Sequence, residues 1–209
     1  MNNYTVLPNG VIKQKTICKI TYDYNYSDKY NAYGEKGNYL SHLRLGVLTG
    51  LLKQYPSSIV DVGYGNGAFM KACKTIIPSV IGCDLSNYPV PDGCIKKNLL
   101  DIGKVDVVCF FDSLEHFEDP TIIKDLDTEY IFISVPWCHN LSDEWFLQWY
   151  HRRENEHLFH FNDTSLIRFF DECGYECIYT GCYEDAIRKN AAVNPLQNIL
   201  SGLFKKRNT

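Results

Sequence analysis

Ile59-Val60-Asp61-Val62-Gly63-Tyr64-Gly65-Asn66-Gly67-Ala68 is the stretch that decides the fold. An apolar run of strand length enters a glycine-rich turn, and a helical segment over 67–77 leaves it, which is how a parallel α/β unit begins. Upstream, Leu40, Leu43, Val47, Leu48, Leu51 and Leu52 recur at three- and four-residue intervals. That period predicts an amphipathic helix over 38–54, ended by Tyr55-Pro56. Downstream, strands are expected at 80–83, 95–98, 105–110 and 130–135, with a helical segment over 121–126. Short apolar strands alternating with helices predict a parallel sheet covered on both faces.

The flanks read differently. Residues 1–35 are polar and hold Tyr22, Tyr24, Tyr26, Tyr30 and Tyr33 without a sustained period, so a loop or lid is expected there. Residues 136–162 form an insert rich in Trp, His and Arg. Asp163 is expected to cap a helix running to Cys173 and ending at Gly174. Two further strands are expected at 175–183 and 197–205. With no internal repeat and no linker, 1–209 reads as a single domain.

Composition narrows the function. The chain has 209 residues, 45% hydrophobic and 22% charged, with a formal net charge of -4. This is an ordinary globular balance that argues against a polybasic nucleic-acid binder. No uncharged apolar run approaches the roughly 20 residues that span a bilayer. The 9 Cys would suit a disulfide scaffold only in a much shorter secreted chain. Met1-Asn2-Asn3 opens no signal segment, so a reducing, cytoplasmic setting is expected.

The glycine turn carries chemistry. Glycines let a backbone approach a ligand, and the helix start offers unpaired N–H donors. Gly63-x-Gly65-x-x-Ala68 also satisfies the loose dinucleotide fingerprint. Asp61, two residues before the first glycine, would repel a pyrophosphate but hold a cationic amine. Asp84 ends the next strand about 20 residues on, where a carboxylate can take both hydroxyls of a ribose. Together they describe a site for a nucleoside with a positively charged amino-acid tail.

Asp61-x-Gly63-x-Gly65-x-Gly67 with Asp84 resembles the cofactor site of class I S-adenosylmethionine-dependent methyltransferases. The resemblance implies a doubly wound, mostly parallel seven-stranded α/β sheet, helices on both faces, and a closing antiparallel strand pair. It implies S-adenosyl-L-methionine as cofactor, held by Asp61, Gly63, Tyr64, Gly65, Asp84 and Leu85. It further implies Asn98 and Leu99 against the adenine and Phe111 beside the methionine part. The tyrosine-rich lead, through Tyr30 or Tyr33, is either a cofactor cover or a surface loop.

Asp112-Ser113-Leu114-Glu115-His116-Phe117-Glu118-Asp119-Pro120 is similar to the post-strand motif of small-molecule methyltransferases, including the ubiquinone-biosynthesis O-methyltransferases. That likeness implies Asp112, Glu115 and His116 as ligands of a divalent cation such as Mg near the acceptor oxygen. A cap with local hydrogen bonds is the plain alternative. Glu156-His157-Leu158-Phe159-His160-Phe161 is similar to an acceptor-facing element of the same enzymes, which makes His157 and His160, with His116, the acid/base candidates. Packed histidines and solvated Arg152 and Arg153 are the alternatives. Cys173, Cys177 and Cys182 lack paired knuckles, so a zinc site is not expected.

The expectation is an enzyme moving a methyl group to an oxygen or nitrogen of a small-molecule or sugar-like acceptor. The alternatives are a nicotinamide-dependent oxidoreductase using the same turn, and a non-catalytic cofactor binder.

Overall fold

The computed structural model describes residues 2–18, 20, 34–189 and 195–208. Seven strands form the main sheet: β3 (Ser58–Val62), β4 (Ser79–Cys83), β5 (Ile95–Lys96), β6 (Val105–Phe111), β7 (Thr128–Pro136), β9 (Tyr175–Gly181) and β10 (Ile199–Lys206). Their spatial order is β5-β4-β3-β6-β7-β10-β9. The first five run parallel, and β10 inserts antiparallel to both β7 and β9. The order reverses beside β3, and β3 and β6 end there at a shared crevice, the place where open α/β sheets bind ligands.

The two-residue alternation of each strand sorts the core into two layers. Ile59, Val107, Cys109, Phe111 and Phe132 face Leu45 and Leu48 of α1 (Gly34–Leu52) and Phe69, Met70 and Cys73 of α2 (Ala68–Lys74). Val60, Val62, Val108, Phe110, Ile131 and Ile133 face Leu166, Phe169 and Phe170 of α4 (Asp163–Glu172), on the other side of the sheet from α1 and α2. Asp61 has the parity of Ile59, so its carboxylate belongs to the layer under α1.

Three expectations change. The first 35 residues are not simply a loop. β1 (Tyr4–Val6) and β2 (Ile12–Gln14) make a hairpin, and β2 pairs with β8 (Phe159–His160) in a second, antiparallel sheet of three strands. Strands this short show no period, and their partner lies far away in sequence. The α4 cap is Asn162, not Asp163: Asn162 accepts from the Ser165 backbone while the Ser165 hydroxyl accepts from the Asn162 N–H. The segment expected over 121–126 is a 3₁₀ helix, Pro120–Asp125. Tyr22, Tyr24, Tyr26, Tyr30 and Tyr33 lie outside the described residues. Among the described residues, no helix is long and apolar enough to cross a membrane.

Candidate active site

The crevice at the carboxyl ends of β3 and β6 is a cleft of about 110 Å³. Its floor is the glycine turn. Gly63 has φ 76°, and a side chain there would bring a Cβ to 2.9 Å from that of Ser113, so both backbone conformation and space demand glycine. Tyr64 packs into the room that Gly82 leaves, since a Cβ on Gly82 would meet its ring at 2.7 Å. Asp84 orients the turn from the side, accepting from the Gly65 N–H at 3.1 Å and the Ser86 N–H at 2.7 Å.

Asp61 lines the cleft at 4% exposure. Burial pushes its carboxyl up to about 7; the nearby Arg44 guanidinium works against that rise, and the Asp84 carboxylate adds to it. Leaving water costs the charged form, so the site favours a cationic partner for this group. Phe111 forms a wall, with the Arg44 guanidinium 4.0 Å from its ring centroid.

Beside Phe111 lies a charge network of which the post-strand motif marks only Asp112. Arg44 donates from Nε and Nη2 to Glu184 at 2.7 and 3.0 Å, and its Nη2 lies 3.7 Å from Asp112. Arg188, at the end of the short helix α5 (Asp185–Arg188), grips Asp112 bidentately at 2.8 and 3.0 Å and reaches Glu184 at 2.7 Å. These contacts overcome the burial of Asp112 and hold its carboxyl down to about 2. Arg44 carried a readable signal, because it sits between Leu40 and Leu48 on the apolar stripe of α1, where a charge calls for a buried partner. Glu184 and Arg188 carry none, since their partners lie 140 and 76 residues away.

The expected trio of Asp112, Glu115 and His116 does not gather. The arginines hold Asp112, and His157 stands in its place: ligand atoms of Glu115, His116 and His157 lie within 4.8 Å of one another. Among the described residues, neither buried carboxylate oxygen of Glu115 has a hydrogen-bond partner, Oε1 lying 4.0 Å from His116 Nε2, and burial pushes this group well above the usual range. The His116 ring packs edge-on against His157 at 4.8 Å between centroids. Nδ1 of His157 is 2.7 Å from the His151 carbonyl, so that nitrogen carries the proton and Nε2 is left as an acceptor. Burial, reinforced by His116 and His160, pushes His157 well below its ordinary value.

His160 lies in β8, buried among Tyr4, Phe146 of α3 (Asp143–Gln148) and Trp149; among the described residues its Nε2 has no hydrogen-bond partner, and burial holds it down to about 3. Leu85 is exposed, and Asn98 bonds Asp101 at the start of a 3₁₀ turn that contains Leu99; none of the three lines the cleft. Arg152 and Arg153 pair with Glu154 and Glu156 at the surface. Cys73, Cys83 and Cys109 are buried, and among the described residues no cysteine joins a ligand group.

Residues 33–180 match a family model described as a methyltransferase domain. Among solved structures, a chain from the complex of the Haloferax volcanii Trm112 methyltransferase activator with a methyltransferase is similar at 13% identity. That match covers 87% of this chain and 98% of the other, with a TM-score of 0.61. The magnesium protoporphyrin IX methyltransferase of Synechocystis PCC 6803, solved with bound SAH, is similar at 14% identity over 88% and 94% of the two chains, TM-score 0.58. The 1,6-didemethyltoxoflavin-N1-methyltransferase of Burkholderia thailandensis, solved with its substrate and S-adenosylhomocysteine, is similar at 10% identity over 99% and 100%, TM-score 0.58. Comparison with curated proteins finds no match.

Proposed function

We propose that this chain, which belongs to the class I S-adenosylmethionine-dependent methyltransferase family, moves a methyl group from its cofactor to an oxygen or nitrogen of a small-molecule acceptor. The observation that carries the reading is the buried carboxylate of Asp61, which lines a glycine-floored cleft that also presents Arg44. Asp61 takes the cofactor's ammonium and Arg44 its carboxylate, which fixes the methionine tail at both ends. A pyrophosphate would meet the charge of Asp61, so a nicotinamide dinucleotide suits this cleft poorly.

In the reaction, an acceptor lone pair attacks the methyl carbon in line with the carbon–sulfur bond. That bond breaks and its electron pair stays on sulfur, leaving a neutral thioether. Holding the two reactants in line supplies much of the rate. The acceptor's proton must leave, and we assign that step to Glu115, His116 and His157; the first two follow the cleft-lining Asp112 in sequence, and none of the three lines the cleft itself.

The same three residues fit a divalent cation. Two carboxylate oxygens without a hydrogen bond among the described residues are costly in a buried place, and a cation offsets that cost. His157 has the tautomer a ligand needs, fixed by the His151 carbonyl. Such an ion would polarise the acceptor oxygen and favour its deprotonated form. A small acceptor is favoured by the net charge of -4; the similar structures are named for a porphyrin, a toxoflavin precursor and small RNA. Titration of metal-free protein with Mn²⁺, followed by electron paramagnetic resonance, tests the cation: one tight site, lost in Glu115→Gln and His157→Ala, is expected. Equal binding by wild type and both variants would remove it.

A further inference from the structure

We infer that Glu184 is a positioning residue that holds Arg44 for the cofactor's carboxylate and keeps it away from Asp61. The inference rests on the Arg44 assignment above. Arg44 and Asp61 line one small cleft and influence each other electrostatically. A long cation beside a buried carboxylate closes on it unless something stronger holds it, because the pairing relieves the burial cost of both. In that closed form the ammonium and carboxylate places would fill each other.

Glu184 prevents this. Its side chain is fully buried and takes both Nε and Nη2 of Arg44 in a fork geometry that fixes the plane of the guanidinium. Phe111 supports that plane from one face at 4.0 Å. Among the described residues, Nη1 of Arg44 donates no hydrogen bond, so this edge keeps its donors for a ligand. Arg188 completes the arrangement by bonding Glu184 and Asp112 together, which keeps Asp112 from drawing Arg44 aside. The two arginines hold the Glu184 carboxyl below its usual value, so it is ionised in the folded protein. Glu184 precedes α5 in the connection between β9 and β10, and that connection thereby contributes to cofactor recognition.

The test compares two ligands by titration calorimetry: S-adenosylhomocysteine, which has the amino-acid tail, and 5′-methylthioadenosine, which lacks it. Arg44→Met, Glu184→Gln, Glu184→Asp and the Arg44→Met/Glu184→Gln double variant are measured beside wild type. Glu184→Gln is expected to weaken S-adenosylhomocysteine about tenfold or more while 5′-methylthioadenosine changes by less than about twofold, which also reports that the fold is intact. The double variant is expected to be no weaker than Arg44→Met, because both changes remove one device. Glu184→Asp, keeping the charge, should recover part of the loss. Equal losses for both ligands in Glu184→Gln, or fully additive losses in the double variant, would overturn the role. If Arg44→Met leaves the preference for the tailed ligand unchanged, the Arg44 assignment fails first and this inference with it.

Discussion

Asp61 shows how one buried side chain links sequence, folding and binding. Strand parity places it under α1, where water is scarce, and its carboxyl rises from 3.8 to about 7. The sign follows directly: between those values the folded protein holds a proton that the unfolded chain has released, so stability of the unliganded protein falls as pH rises through this window. A cofactor ammonium needs the ionised form, so binding near pH 6.5 must expel that proton. Affinity for S-adenosylhomocysteine should therefore rise from about pH 6 to about pH 8, with proton release visible in buffers of different ionisation enthalpy. Asp61→Asn should flatten the profile; identical profiles for wild type and variant would contradict the assignment. The position of Asp61 was legible from its two-residue offset before Gly63. That Arg44 joins it was legible only as a charge on an apolar stripe, and that Glu184 holds Arg44 was not legible at all, because nothing local marks a pairing across 140 residues.

Among the elements, those with a strong period were readable and those defined by remote partners were not. β3 follows from Ile59, Val60 and Val62, and α1 from its leucine spacing. The hairpin of β1 and β2 has no such pattern; it exists because β2 pairs with β8 and because Gln14 clasps Asn155, with its amide donating at 2.8 Å and accepting from the Asn155 N–H at 2.8 Å. This clasp fixes the turn that precedes His157, so a segment that reads as loop supports the position of that histidine. The α4 capping box misled the boundary by one residue, since Asn162 and Asp163 are both good caps and only the Ser165 contact distinguishes them. Asn162→Ala should lower stability by about 1 kcal/mol in urea unfolding while leaving S-adenosylhomocysteine affinity unchanged. A cost near zero would mean that Asp163 takes over the cap.

For the whole molecule, the reversal of strand order beside β3 brings distant residues to one crevice. Asp61 and the glycine turn come from one strand end, Phe111 and Asp112 from the next, Arg44 from the helix above, and Arg188 from near the carboxyl end. His157 reaches its neighbours by another route, because Leu158 donates its N–H to the Glu115 carbonyl at 2.8 Å and ties the insert to the end of β6. The sheet was legible because four of its parallel strands, β3, β4, β6 and β7, are largely buried apolar runs, whereas β5 is short and exposed. The replacement of Asp112 by His157 was not, because it depends on which acid the arginines claim. The most direct test of the account is titration of the folded protein with S-adenosylhomocysteine, alongside Asp61→Asn. One molecule should bind per chain, with affinity about tenfold or more weaker in the variant. Absence of binding to well-folded wild type, or equal binding by both proteins, would contradict it.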